Sequence, residues 1–364
     1  MPAISAYLAA LANGDATGLF LKASARPAWK AGSLLVTNGD PLPGAKAFHE
    51  MLLDLTAQAG CLDRFHGSSD VTFALTEGGR RFRIHVWREE GGHALHAAPL
   101  ESRPPTLEEA GLGAAFSEAL RPERGLIVLA GPPRSGRTTT LAALLADVNE
   151  NHARHIVSIE RAPGFVIEPR RSLVEQILVG TDAPSVAAAA SGALSAGADV
   201  LGIDAVADED SLRAAVEAAE AGALVYAVTD GYDLADALDR LADLAPAHDA
   251  GMMRSRMAAQ IRLAACQHLV RRKDGRCAVA AEALPGTPAL NAALRELRFT
   301  DIAGLLDDRR TKGVRSLEAS LAELVLAGAL DRQDAQHLAR NRLRLESHLA
   351  HAPAAEHRPP RASS

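Results

Sequence analysis

Cysteine is scarce in this chain: Cys61, Cys266 and Cys277 are the three among 364 residues, and none stands at C-x-x-C spacing. A zinc cluster or a redox dithiol needs that spacing, so the three read as buried or solvated thiols in a reducing compartment. An excess of basic residues is missing as well. The net charge is −6 with both signs interspersed, whereas a surface that binds nucleic acid carries a basic stripe. No direct nucleic-acid partner is expected. Long apolar runs are also lacking. The longest weakly polar stretch, Val186 to Val206, is alanine-rich and interrupted by Ser191, Ser195, Gly197 and Asp199, which falls short of the roughly 20 apolar residues that span a bilayer. Met1-Pro2-Ala3-Ile4 opens without the basic and apolar segments of a signal peptide. The expectation is a cytoplasmic protein that meets the membrane only through partners.

What is present is enough chain for two domains and an appended helical segment, at roughly 100 to 200 residues per domain. A hydrophobic share of 48% supplies their cores. Residues 1–98 mix short helices with alternating strands such as Phe82-Arg83-Ile84-His85-Val86-Trp87, where apolar and polar side chains take opposite faces. That pattern predicts a small α/β domain. Residues 99–106, with Pro99, Pro104 and Pro105 among polar neighbours including Ser102, read as a linker.

From residue 107 to 300 buried apolar runs alternate with helical patterns: 126–130, 155–159, 200–203 and 224–228. Short strands separated by helices predict a mainly parallel sheet covered on both faces, hence an α/β domain. Leu141, Leu144, Leu145 and Val148 recur at helical spacing after the first of these strands. Residues 301–350 turn helical, with Leu317, Leu321, Leu324 and Val325 on one stripe, and 351–364 read as a disordered tail rich in Pro, Ala, His and Arg.

Between the first strand and its helix lies Gly131-Pro132-Pro133-Arg134-Ser135-Gly136-Arg137-Thr138. It fits G-x-x-x-x-G-K-[ST] at every fixed position except the lysine. In such a loop the glycines let backbone N–H groups converge on phosphate, the helix N-terminus adds its positive end, and the threonine hydroxyl ligates magnesium. Arg137 keeps the charge but spreads it over a planar fork, a poorer fit than a lysine ammonium. The candidate nucleotide-binding residues are therefore Gly131, Ser135, Gly136, Arg137, Thr138 and Thr139, with ATP and Mg2+ as the implied ligands. At the end of the strand 200–203 stands Asp204, where phosphate-loop ATPases place a carboxylate for magnesium. Thr138 and Asp204 are thus the candidate metal residues. A carboxylate at a strand end is also an ordinary loop residue, and that reading stays open.

Several further segments follow the same order as in one family. Arg124-Gly125-Leu126-Ile127, the loop, Thr139-Thr140-Leu141-Ala142-Ala143 and Asn149 match "RGL-(loop)-TTLAA…N". Ser158-Ile159-Glu160 matches the start of an acidic box, and Ala218-Ala219-Glu220-Ala221-Gly222 an "AAETG" step. Gln267-His268-Leu269-Val270 matches "QQL", and Glu282 with Gly286-Thr287-Pro288-Ala289 matches "E…GTPA". Together they resemble the PilT/PilU family, hexameric motors that retract type IV pili, within the secretion ATPase superfamily. The resemblance implies a PAS-like N-terminal α/β domain, a RecA-like phosphate-loop domain and C-terminal helices. It also implies a hexameric ring or a mixed assembly with a retraction ATPase paralogue, and a pilus inner-membrane platform protein as partner. The family's "RFR" strand sends arginines to the nucleotide phosphates, which adds Arg81 and Arg83 to the binding residues; exposed strand arginines that are simply solvated are the other reading.

The departures fall where the chemistry belongs. "IEDP" is here Ile159-Glu160-Arg161-Ala162, and the glutamate of "GE" corresponds to Ala205. "TLHT" aligns with Val228-Thr229-Asp230-Gly231, so Asp230 stands where the histidine belongs. The arginines of an "ALR" helix are Ser191 and Ser195, "NQRE" reads Glu175-Gln176-Ile177-Leu178, and "AIRNLIRE" is only partly kept in 289–296. Losing groups that position water or stabilise charge on the transferring phosphoryl costs orders of magnitude in rate. Glu160 is the remaining candidate base, while Ala205 and Asp230 mark lost catalytic positions. The expectation is a pilus-retraction ATPase-like subunit that holds nucleotide, hydrolyses it poorly and acts with an active paralogue. Two alternatives stand beside it: a divergent but active ATPase of a pilus or type II secretion machinery, and a non-motor nucleotide-sensing adaptor.

Overall fold

In the computed structural model the alternation noted at 82–87 becomes part of a ten-residue strand, Arg80–Glu89. Residues 3–31, 34–68, 70–101, 103–112, 116, 118, 120–308 and 310–351 are described. Phe82, Ile84 and Val86 point inward and are buried, while Arg81, Arg83 and His85 take the other face, as a period of two requires.

Six antiparallel strands, β1 (Gly18–Lys22), β2 (Ala28–Ala31), β3 (Leu34–Thr37), β4 (Asp70–Glu77), β5 (Arg80–Glu89) and β6 (Gly92–Pro99), pair in the order β3-β2-β1-β6-β5-β4. The helices Ile4–Asn13 and Ala45–Gln58 cover one face of this sheet. They contribute Leu8, Leu11, Phe48 and Leu52 to a core shared with Leu19, Phe73, Phe82 and Leu95. This is the small N-terminal α/β domain. Beyond Pro99 the chain runs without regular structure to Thr106, with Leu100 and Pro104 buried; Ser102 lies outside the described residues.

The second sheet holds β7 (Gly125–Ala130), β8 (His155–Glu160), β9 (Leu173–Leu178), β10 (Val200–Ile203), β11 (Leu224–Val228), β12 (Ile261–Arg271) and β13 (Cys277–Pro285), in the order β13-β12-β7-β11-β10-β8-β9. Strands β8 to β11 pair in parallel, and β12 with β13 antiparallel. The chain divides into two compact units, one of residues 1–106, 123–126 and 138–228, the other of 107–122, 127–137 and 229–364.

In the first unit the helix Arg137–Asn151 buries Leu141, Leu144, Leu145 and Val148, the stripe read from the sequence. It packs so closely on β10 that a Cβ at Gly202 would lie 2.7 Å from Leu145 Cδ1. In the second unit the helix Leu317–Leu326 packs on β13 and the helices Arg332–Leu338 and Arg342–Ala350 pack on that helix, with Leu317, Leu321, Leu330 and Leu345 sharing one core with Val270, Ala278 and Ala280. Ser316 caps the first of them by accepting from Ala319 N. Of the tail read as disordered, 352–364 lies outside the described residues.

Candidate nucleotide site

The phosphate loop follows β7, every residue of which is buried. Its tight turn is closed by Ser135 N donating to Pro132 O at 3.1 Å, with Arg134 at φ 67° and Gly136 at φ 86°. A left-handed backbone at Gly136 carries no Cβ penalty. Gly131 is required for another reason: a Cβ there would stand 2.5 Å from the carbonyl oxygen of Gln267. Gln267 itself is buried and donates from Nε2 to Ser135 O at 2.8 Å. It therefore braces the loop at two points. In the sequence Gln267 stands only as part of a matching segment, and nothing in the residue type signals this role.

Ser135 is buried, and its Oγ has no hydrogen-bond partner among the described residues. Thr138 is exposed and Thr139 half-buried on the first helical turn. An orphaned hydroxyl, a glycine cradle and a helix start fit the triphosphate that such a loop holds.

Arg137 does not reach over that cradle. Its guanidinium, 16% exposed, is paired with Asp230 Oδ1 at 2.5 Å and donates to Thr229 O. The two positions at which the loop and the histidine box depart from the family motifs are therefore bonded to each other. Sequence reasoning placed both residues in the site but saw no relation between them, because 92 residues separate Arg137 from Thr229 and an ion pair leaves no local pattern.

In the first unit Glu160 ends β8 as a buried carboxylate. Its Oε1 accepts from Ser158 Oγ at 2.9 Å and from Gln176 Nε2 at 2.8 Å, and its Oε2 accepts from Gly164 N at 3.0 Å. Asp204 follows β10; its Oδ2 accepts from Arg161 N at 2.8 Å, while its buried Oδ1 has no partner among the described residues. Burial, with Glu160 adding to it, lifts the Asp204 carboxyl to a pKa of about 6. Thr138, Glu160, Gly164 and Asp204 line one cavity, which puts both metal candidates on it, and an unpartnered carboxylate oxygen with a hydroxyl-bearing residue is a donor set of the type magnesium takes. Ala205, half-buried beside Asp204, presents only a methyl group. The Arg161 guanidinium binds Asp208 at 2.8 Å. Asp208 in turn caps the helix Glu209–Glu220 through a capping box with Ser211.

The two arginines of β5 part company. Arg81 lines a cavity with Glu160, Gly164, Gln176 and Asp182, and Arg83, exposed on the same strand, does not. Gln176, read from the sequence only as part of a departing stretch, is the second residue that sequence reasoning missed.

The model of the type II/IV secretion system protein family matches residues 106–324. The "Type IV pilus retractation ATPase PilT" of Pseudomonas aeruginosa is 29% identical over 339 residues, covering 93% of this chain and 98% of that protein. A "Twitching motility protein" of Neisseria gonorrhoeae is 31% identical over 262 residues, 72% of this chain and 70% of its own length. The chain belongs to the PilT/PilU family of secretion ATPases. The crystal structure of the pilus retraction motor PilT with bound ADP superposes with a TM-score of 0.81 at 23% identity, over 95% of this chain and all of that one, which shows the shared fold. The family's two-part architecture, an N-terminal domain followed by a RecA-like domain, is thus present. Ser191 and Ser195, at positions where the family carries arginines, are exposed, with Ser195 Oγ donating to Ser191 O.

Proposed function

We propose that this chain is a pilus-retraction ATPase-type subunit that binds nucleotide, turns it over poorly on its own, and works in a ring or mixed assembly beside an active paralogue. The observation that carries this reading is the division within the site. The atoms suited to phosphate and magnesium are without a partner among the described residues: Ser135 Oγ in the glycine-bearing loop, and Asp204 Oδ1 in the cavity that Thr138 also lines. The groups that perform the chemistry are absent or engaged elsewhere. Ala205 accepts no proton, Arg161 is bound to Asp208, and Arg137 is bound to Asp230.

In this reading magnesium would be held by Thr138 and Asp204, and when bound it supplies charge neutralisation between phosphates. Glu160 would be the acceptor for a proton from water, but its oxygens are already shared among Ser158, Gln176 and Gly164. Arg81 is the better placed of the two arginines to meet a phosphate. The relatives named for pilus retraction and twitching support the motor assignment, and localisation at the cytoplasmic face through a pilus platform protein follows from it. No helix among the described residues is long and apolar enough to cross a membrane.

The test is hydrolysis by the purified chain across a range of ATP and magnesium, with and without an active retraction ATPase. Binding with turnover at least about a hundredfold below the paralogue is expected from the missing groups. Turnover equal to the paralogue's would overturn it. The buried, well-anchored Glu160 favours the second reading, a divergent but active ATPase, and that reading requires Glu160→Ala to abolish a substantial rate.

A further inference from the structure

Resting on the reading that nucleotide is held, we propose that Asp230 is a built-in competitor for the cation of the phosphate loop, so that nucleotide binds only by taking Arg137 from it. The geometry is specific. Arg137 is the one basic side chain carried by the loop motif at the position that faces the phosphates, and it is largely withdrawn from water onto Asp230 Oδ1 and Thr229 O. Both bonds are made by Nη1 of a side chain largely withdrawn from water, so a phosphate that takes this nitrogen must displace the Asp230 carboxylate from it.

Asp230 is held in place by its own segment. Gly231 N donates to Gly131 O at 3.2 Å, tying the residue after Asp230 to the first residue of the loop. Tyr232 N donates to Asp236 Oδ2 at 2.7 Å and Leu234 N to the buried Glu282 at 2.9 Å. Arg340 donates to Tyr232 O at 3.3 Å. The backbone that carries Asp230 is thereby fixed next to the loop, and the carboxylate needs only its own rotamer to meet Arg137. Asp230 itself is 65% exposed. Water and salt screen it, so the pair is strong enough to weaken nucleotide binding and weak enough for a polyphosphate to displace.

Neutralising Asp230 should therefore tighten nucleotide binding, and only while Arg137 is present. The experiment titrates a fluorescent ATP analogue with magnesium into the purified full chain, with thermal shift by ATP as a second readout. The variants are Asp230→Asn, Asp230→Ser, Arg137→Ala and the double variant Asp230→Asn with Arg137→Ala. Each single Asp230 variant is expected to bind about tenfold more tightly than the parent, the usual scale for releasing a partly buried charge pair. That gain should vanish in the Arg137→Ala background, and raising salt should narrow the difference between parent and Asp230→Asn. Parent binding with Asp230 variants within about twofold of it would overturn the competition while leaving nucleotide retention standing, as would an undiminished gain in the Arg137→Ala background. Failure of every variant to bind ATP at millimolar concentration would overturn both.

Discussion

Gln176 fixes Glu160 and a loop with one amide: its Nε2 donates to Glu160 Oε1 and to Phe165 O, both at 2.8 Å, and its Oε1 accepts from Ile167 N at 3.0 Å. Replacing it by alanine leaves three backbone or carboxylate groups short of a partner. Gln176→Ala is expected to destabilise the chain by about 1 to 3 kcal/mol, the cost of stranding buried polar groups. Urea unfolding measures it, and a loss below a few tenths would show that these bonds do not matter.

Asp204 should make stability depend on pH in the unusual direction for a carboxylate. Its folded pKa of about 6 lies above the ordinary value of 3.8, so the folded chain binds the proton more tightly than the unfolded chain. The penalty for burying the charge is absent below about pH 4, grows through the window between the two values and is complete above about pH 6. Stability therefore falls as pH rises through that window. In magnesium-free buffer Asp204→Asn should stabilise the chain at pH 7 by about 1 to 2 kcal/mol and flatten the profile between about pH 4 and 6. Unfolding curves across that range check it, and a parallel pair of profiles would refute the assignment.

Arg81 and Arg83 share a face of β5, but only Arg81 lines the cavity with Glu160. Arg81→Ala should weaken nucleotide binding about tenfold, as expected for losing one charged phosphate contact. Arg83→Ala should change it by less than about twofold. Equal losses at both positions, measured by titration, would return both arginines to the same role.

Arg340 pairs with Glu282, which is 3% exposed. Burial raises the Glu282 carboxyl, and Arg340 offsets that rise. Arg340→Ala strands a buried charge and is expected to cost about 3 to 5 kcal/mol. Adding Glu282→Gln should recover a large part of the loss, because an amide tolerates that pocket without a counter-charge. Chemical unfolding of both variants decides it, and equal stability of the single and double variants would be the contrary result.

Ala205→Glu alone should not raise hydrolysis above the parent by more than about threefold, since groups that act as a unit are not restored one at a time. Arg161 stays on Asp208 and Arg137 on Asp230 in that variant. Phosphate release assays check it, and recovery to a paralogue's rate would mean that Ala205 is the single defect.

The sequence was most legible where one periodicity governed one element. The stripe of Leu141, Leu144, Leu145 and Val148 and the alternation of Phe82, Ile84 and Val86 translate directly into buried faces. The β12–β13 hairpin was not legible, because Ala264, Ala265, Ala280, Ala281 and Ala283 form its centre and alanine favours helix. Their near-complete burial in a pairing register from Leu263 to Arg271 overrides that preference. At the site, the motif named Ser135, Thr138 and Asp204; the structure leaves Ser135 Oγ and Asp204 Oδ1 without a partner among the described residues and puts Thr138 and Asp204 on one cavity. The motif could not reveal Gln176 and Gln267, whose amides act through geometry, nor where the side chain of Arg137 would go.

The bond between Arg137 and Asp230 also decides which of the two positions has to change first. Restoring lysine alone would leave an ammonium facing Asp230, and restoring histidine alone would leave a guanidinium where a lysine belongs. A change at position 230 releases Arg137, whereas a lysine at position 137 still faces Asp230, so the two steps are not equivalent. The pair is thus a one-way catch: the carboxylate must yield before the loop cation can move, whichever cation the loop carries.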